Sequence, residues 1–238
     1  MPDPFLNLPG AVADDISGVP LHYGSPLSEQ RALAEGDAIV SLSHRGVITV
    51  SGPDRLNWLD SMTSQRLLGL SAGESAETLL LDPNGRIEHA IRITDDGERA
   101  WLLVDEGEAE SLTAFLVRMR FALRVDVADV SDSFAAVFAC GGGAALPAIA
   151  SLGLAVAEWR DPWGEAQPGG AQYARGEHAG TGWVASQLVF SRADLPKVAG
   201  LVASGAVRAA GLGALDALEV RAWRPSVHGE VDDRAIPH

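Results

Sequence analysis

The stretch Val47-Ile48-Thr49-Val50-Ser51-Gly52-Pro53-Asp54-Arg55 decides how the chain is read. Gly46–Val50 alternates and is β-branched, which predicts a strand. Ser51-Gly52-Pro53-Asp54 is a turn. Pro53 suits the first position of a helix, where its missing N–H has no partner to lose. Leu56, Leu59 and Met62 then recur at helical spacing over Arg55–Met62. Upstream, Ala38–Leu42 is a second strand, and Ser28–Glu35 a short helix with a serine N-cap. Residues 1–27, rich in Pro, Gly and Asp, read as an extended arm without periodicity.

Downstream, Thr78–Asp82 and Arg86–Thr94 are strands. Asp82-Pro83-Asn84-Gly85 joins them as a hairpin turn, with Gly85 free to take positive φ. Asp95-Asp96-Gly97 is a further turn, leading into the strand Ala100–Val104. Glu108–Arg120 is an amphipathic helix with Leu112, Phe115, Leu116 and Met119 on one face, and Leu123–Val130 is a strand. Residues 46–130 thus follow the ferredoxin-like split βαβ order with one added strand.

A weaker echo follows: strand Phe134–Cys140, turn Gly141–Gly143, helix Ala144–Leu152, strand Val184–Phe190, and helices Ala193–Ser204 and Leu212–Arg221. Arg160–Gly170 reads as a loop. The expectation is an α+β protein with two interleaved ferredoxin-like layers. Its parts are an arm over 1–27, a first unit over 28–130 and a second over 131–238.

Composition narrows the function classes. Of 238 residues, 47% are hydrophobic and 21% charged, which is globular. The net charge of −14, from 18 basic and 32 acidic residues, argues against direct nucleic-acid binding or an anionic membrane surface. Met1–Phe5 has no basic or apolar leader character, and no apolar run reaches the roughly 20 residues of a membrane helix. The chain is therefore expected to be cytoplasmic. Cys140 is the only cysteine and cannot pair within the chain. Lys197 is the only lysine and follows Pro196 in a polar stretch, which argues against P-loop and Schiff-base chemistry.

Each candidate site residue has a bland reading beside the functional one. The histidines His22, His44, His89, His178, His228 and His238 contain no i, i+4 pair, and no Cys-x-x-Cys accompanies them, so no metal is expected. Gly141–Gly143 could cradle an anion, but without Gly-Lys-Ser/Thr a tight strand-to-helix turn is the stronger reading. Cys140 ends an apolar strand and reads as an inert buried thiol. No Gly-x-Ser-x-Gly elbow is present. Arg118, Arg120 and Arg124 cluster at one helix end, and Arg221 and Arg224 at another. Such groups can grip carboxylates bidentately, but they also complement helix dipoles. Arg86 and Arg92 lie on one strand face with Glu88 and Ala90, a polar row expected to face solvent rather than line a cavity.

Three segments together resemble the folate-binding fold shared by the glycine cleavage T-protein and the YgfZ-type proteins. They are Val47–Arg55 followed by Trp58-Leu59 and Thr63; Leu79-Leu80-Leu81-Asp82-Pro83-Asn84-Gly85-Arg86-Ile87; and Gly211–Arg224 running into Gly229-Glu230-Val231-Asp232-Asp233-Arg234-Ala235-Ile236-Pro237-His238. The chain is more similar to the YgfZ branch. The T-protein hairpin carries paired aspartates, one of which assists methylene transfer. Here the matching positions fall near His89 and Ala90 and no carboxylate matches, so a T-protein-like aminomethyltransferase is not expected. The T-protein glutamate that contacts the pterin falls at Gln187, whose amide can still donate and accept.

The resemblance implies tetrahydrofolate as cofactor, held by Gln187, Arg92, Arg120, Arg86 and His89. It also implies iron–sulfur proteins as partners, in cluster assembly or repair and thereby tRNA modification. Aminomethyl transfer and a non-catalytic scaffold are the alternatives. YgfZ-type proteins carry a Lys-Gly-Cys-Tyr-x-Gly-Gln motif and a small β-barrel beyond the Ile-Pro-His region. The sequence stops at His238, so it is expected to be a truncated form lacking that barrel.

Overall fold

The computed structural model describes residues 2–164, 174–226 and 235. In chain order the elements are a 3-10 turn Pro4–Asn7, β1 Val12–Ala13, β2 Pro20–His22, α1 Pro26–Ala34, β3 Ala38–Leu42, β4 Gly46–Ser51 and α2 Arg55–Met62. There follow β5 Ser75–Leu81, β6 Ile87–Asp95, β7 Arg99–Val104, α3 Glu108–Met119 and β8 Asp126–Asp129. The remainder is β9 Phe134–Cys140, α4 Ala145–Ser151, β10 Ala157–Arg160, β11 Ala185–Ser191, α5 Leu195–Ala203, β12 Arg208–Ala209 and α6 Leu212–Arg221.

The described residues fall into two compact units. In the structure the first unit comprises those of Met1–His44, Ala135–Val156 and Arg160–Arg224, and the second those of Arg45–Phe134, Ala157–Trp159 and Pro225–His238.

The second unit contains Val47–Arg55. Its sheet has the order β5-β6-β7-β4-β8, antiparallel throughout. Ile48, Val50, Ile91, Ile93, Leu102 and Val104 share one face, and α2 and α3 cover it with Trp58, Leu59, Leu112 and Leu116. The α2 anchor is ionic: Arg55 donates through Nε and Nη2 to the two oxygens of Asp95, both at 2.7 Å. The Asp82–Gly85 turn forms as read. Gly85 has φ +81°, and the Asp82 carboxylate accepts from the backbone of Asn84 and Arg86. Gly52, at φ +105°, leaves no room for a side chain, since a Cβ there would lie 2.2 Å from the Arg124 carbonyl oxygen.

The first unit holds a sheet that runs β11-β9-β3-β12, with β3 antiparallel to β9 and parallel to β12. Both faces are covered, so β3 reads as a continuous buried run rather than an alternating one. Ile39, Val137, Leu188 and Phe190 meet α4 and α5 on one face. Val40, Leu42, Ala136 and Phe138 meet α1 and α6 on the other.

Several expectations are corrected. Residues 2–22 are no loose arm: Phe5 is fully buried, and Asp3 accepts from the backbone N–H of Phe5 and from the hydroxyls of Ser41 and Ser43. The first helix starts at Pro26 with Ser25 as its N-cap residue, and the side chain makes no capping bond. The strand expected over Leu123–Val130 is confined to Asp126–Asp129, because Phe121 takes φ +43° and turns the chain after α3. Arg92 does not face solvent; it is 6% exposed. Most of the expected Arg160–Gly170 loop and the segment Gly229–His238 lie outside the described residues, apart from 160–164 and 235.

Removing one partner of a buried ion pair leaves the other charge uncompensated. Asp95 is buried and Arg55 only partly so, so Arg55→Ala should lower unfolding free energy by about 1–3 kcal/mol, less than for a fully buried pair, read as a reduced urea midpoint at unchanged slope. A loss below about 1 kcal/mol would show that the pair does not anchor α2.

Candidate functional site

The β7–α3 turn grips β6 from both sides. On β6, Ile91 and Ile93 point into the helix-covered core, so His89 shares their face and Arg92 takes the other. The turn supplies a carboxylate to each. Glu108, the first residue of α3, meets His89 Nδ1 through its Oε2. Asp105, at the end of β7, accepts from Arg92 Nη1 at 2.9 Å and has Arg45 Nε at 3.7 Å. The Glu108 backbone N–H donates to the Asp105 carbonyl at 3.2 Å, closing the turn. Gly107 sits between the two carboxylates at φ +80°. A histidine–carboxylate pair can hold and exchange a proton, and a buried arginine pair can orient an anion.

The predicted residues do not converge on one point. Arg92 and His89 share β6 but face opposite ways. Arg86 contributes to the hairpin through its backbone N–H, which, with other donors to Asp82, holds that carboxyl below its usual range. Arg120 caps the far end of α3 with an exposed side chain, 3.7 Å from the exposed Asp126. Gln187 lies in the first unit, on β11. Leu188 and Phe190 face the α4–α5 layer, so Gln187 faces the α1–α6 layer with Ala185. It is 3% exposed, and its Oε1 is buried with no hydrogen-bond partner. Asp105, Glu108 and Arg45 were not among the site residues expected from the sequence. The only local signal was an acidic pair at a helix start.

Gly141–Gly143 and Cys140 take their bland readings. Gly141–Gly143 is a strand-to-helix turn: Gly141 N–H donates to Val184 O at 2.8 Å, and Ala144 N–H to Asp37 Oδ1 at 2.9 Å. Cys140 borders a small cavity of about 90 Å³, with Trp183, Thr181, Leu218 and Arg221 also in its wall. Burial pushes the Cys140 thiol up to about 12, and the nearby Arg221 opposes this only in part. Among the described residues, no group of three or more His, Cys, Asp or Glu is placed to hold a metal ion. None of their helices is long and apolar enough to cross a membrane.

Residues 19–238 match the GCVT N-terminal domain family, and the chain belongs to it. An aminomethyltransferase of Saccharopolyspora erythraea is 26% identical over 237 residues, covering 96% of this chain and 64% of that protein. One from Thermus thermophilus is 27% identical, over 96% of this chain and 66% of its own length. The chain thus spans about two-thirds of these relatives. The crystal structure of glycine cleavage system aminomethyltransferase T from Bartonella henselae superposes with a TM-score of 0.70 at 20% identity. It covers 90% of this chain and 60% of that one, which establishes the T-protein-like α+β fold.

The raised thiol sets a pH dependence. A thiol shifted from 9.0 to about 12 favours the protonated form in the folded state. Its contribution to stability is whole below pH 9 and is lost as pH rises toward 12. At pH 8 the native thiolate fraction falls roughly a thousandfold below that of an unshifted thiol. Alkylation by iodoacetamide should accordingly be negligible until denaturant unfolds the protein. Fast labelling of the native protein would overturn the buried assignment.

Proposed function

We propose that this chain is the folate-binding part of a YgfZ-type protein, one that holds tetrahydrofolate and supports iron–sulfur cluster assembly or repair, and thereby tRNA modification. The observation that carries the folate reading is Gln187. A buried carbonyl without a donor costs about 1–3 kcal/mol, and the pterin edge offers N–H groups of the kind Oε1 lacks. Gln187 would hold the pterin edge. Arg92, engaged with Asp105, serves to fix the sheet end rather than to seize a glutamate tail. Folate, when bound, supplies a one-carbon carrier; the chain's own residues bind and orient it.

The choice of branch rests on the hairpin. His89 and Ala90 stand near where the resemblance places the paired aspartates of the T-protein, and neither is a carboxylate, which speaks against aminomethyl transfer. Relatives carrying the name aminomethyltransferase favour the other reading. A methylene-transfer assay with the lipoyl carrier protein separates the two, and no turnover is expected.

Calorimetric titration of the full-length protein with tetrahydrofolate should give saturable binding. Gln187→Leu should weaken it about tenfold or more without lowering the thermal midpoint, since the leucine removes an unsatisfied polar group. Absence of binding tighter than millimolar would overturn the folate reading. Unchanged activity of iron–sulfur tRNA-modifying enzymes in cells lacking the protein would overturn the cluster role.

A further inference from the structure

Residues 117–124 read Val-Arg-Met-Arg-Phe-Ala-Leu-Arg, with no acid among them, in a chain whose net charge is −14. Three of their side chains are apolar and open to water: Val117 is 45% exposed, Phe121 80% and Leu123 41%. Phe121 sits in the left-handed region at φ +43°. For a bulky side chain this costs about 1–3 kcal/mol and persists only where the surroundings impose it.

The surroundings do impose it. Arg124 is held on Asp54 by three bonds, its backbone N–H to Oδ2 at 3.0 Å, Nε to Oδ2 at 3.1 Å and Nη2 to Oδ1 at 2.9 Å. Its carbonyl packs against Gly52, where no side chain would fit. Upstream, the Leu123 N–H closes onto Arg120 O at 3.0 Å. The loop is thus clamped at its base and presents Phe121 and Leu123 outward. Arg124 is occupied by Asp54. Arg118 lies over the Phe115 ring at 5.5 Å, and Arg120 reaches Asp126 only at 3.7 Å between exposed groups. Such an exposed pair contributes about 0–1 kcal/mol, so both guanidinium groups keep their charge for a partner.

We propose that this apolar–basic loop is a docking surface for an acidic protein segment bearing apolar side chains. Phe121 and Leu123 would be covered, and Arg118 and Arg120 would pair with carboxylates. Charge selects this occupant. Screening confines the patch's field to about 8–10 Å, so a compact acidic segment meets the arginines alone. An extended anionic membrane, or a second copy of a chain carrying −14, meets the whole acidic molecule and is repelled. This inference is independent of the folate reading.

The test is fluorescence anisotropy of the full chain with a labelled amphipathic peptide that has glutamates on one face and leucines on the other. Binding should weaken about fivefold or more between about 20 and 150 mM salt, because exposed charge pairing is screened. Arg118→Glu with Arg120→Glu should weaken it about tenfold or more, and so should Phe121→Ser. Phe121→Gly separates display from folding: relief of the left-handed strain should raise the thermal midpoint while binding falls. Equal binding of a peptide with lysine for glutamate, or indifference to these substitutions, would overturn the proposal. So would binding of phosphatidylserine vesicles in preference to the peptide.

Discussion

The Asp105 carboxylate is the constraint on which the second unit's architecture depends. A carboxylate in the interior must be met by donors or it neutralises. Here Arg92 and Arg45 meet it; Arg92 comes from β6 and Arg45 from just before β4, the two strands that flank β7 in the sheet. Glu108 lies one turn further on and reaches the opposite face of β6 at His89. Two residues three apart on a strand face opposite ways, and the β7–α3 turn is long enough to serve both. A slip of one residue in the β6 register would drive Arg92 into the core of Ile91 and Ile93 and expel the isoleucines. The same ionic contacts that order the sheet end therefore also fix its register.

In the first unit the corresponding demand falls on Asp3. Its three accepted bonds tie the chain start to β3 and to the residue just beyond it. That position delivers Phe5 to the layer formed by Ile39, Val137 and Phe190. A segment with no periodicity becomes part of the core through one buried polar anchor and one aromatic side chain. Arg192 adds a bond from Nη2 to the Ser43 carbonyl at 2.6 Å. The polar groups at that end of β3 are thus satisfied from several directions.

What was legible in the sequence was local. Asp82-Pro83-Asn84-Gly85 announces its turn because the aspartate's bonds to Asn84 and Arg86 are near neighbours in the chain. The α3 face shows because Leu112 and Leu116 repeat at the helical period. The strand and helix order over 46–130 follows from such signals. What was not legible depended on distant partners. His89 and Glu108 are 19 residues apart, and neither residue type implies the other. Alternation separates His89 from Arg92 on β6 but could not show that Arg92 is buried, so Arg92 was placed in water, and Arg86, grouped with it, lies before the strand begins. Phe5 and the short strands β1, β2 and β12 owe their structure to tertiary contacts that no window of sequence contains.

Gln187 shows how a residue can be read from what it lacks. It lies within a run of buried residues on β11, where a leucine of similar volume would fill the space without polar cost. Asp3, equally hidden, has every bond accounted for by the fold. Trp58 is also buried with its Nε1 lacking an acceptor, but it packs among the helices of the second unit's core, and an indole earns its place there by apolar area alone. An amide has little apolar area to offer in exchange. A ligand N–H placed there, as in the folate reading proposed above, would offset the unsatisfied Oε1, whereas a purely anionic or aliphatic molecule would leave the carbonyl as it is.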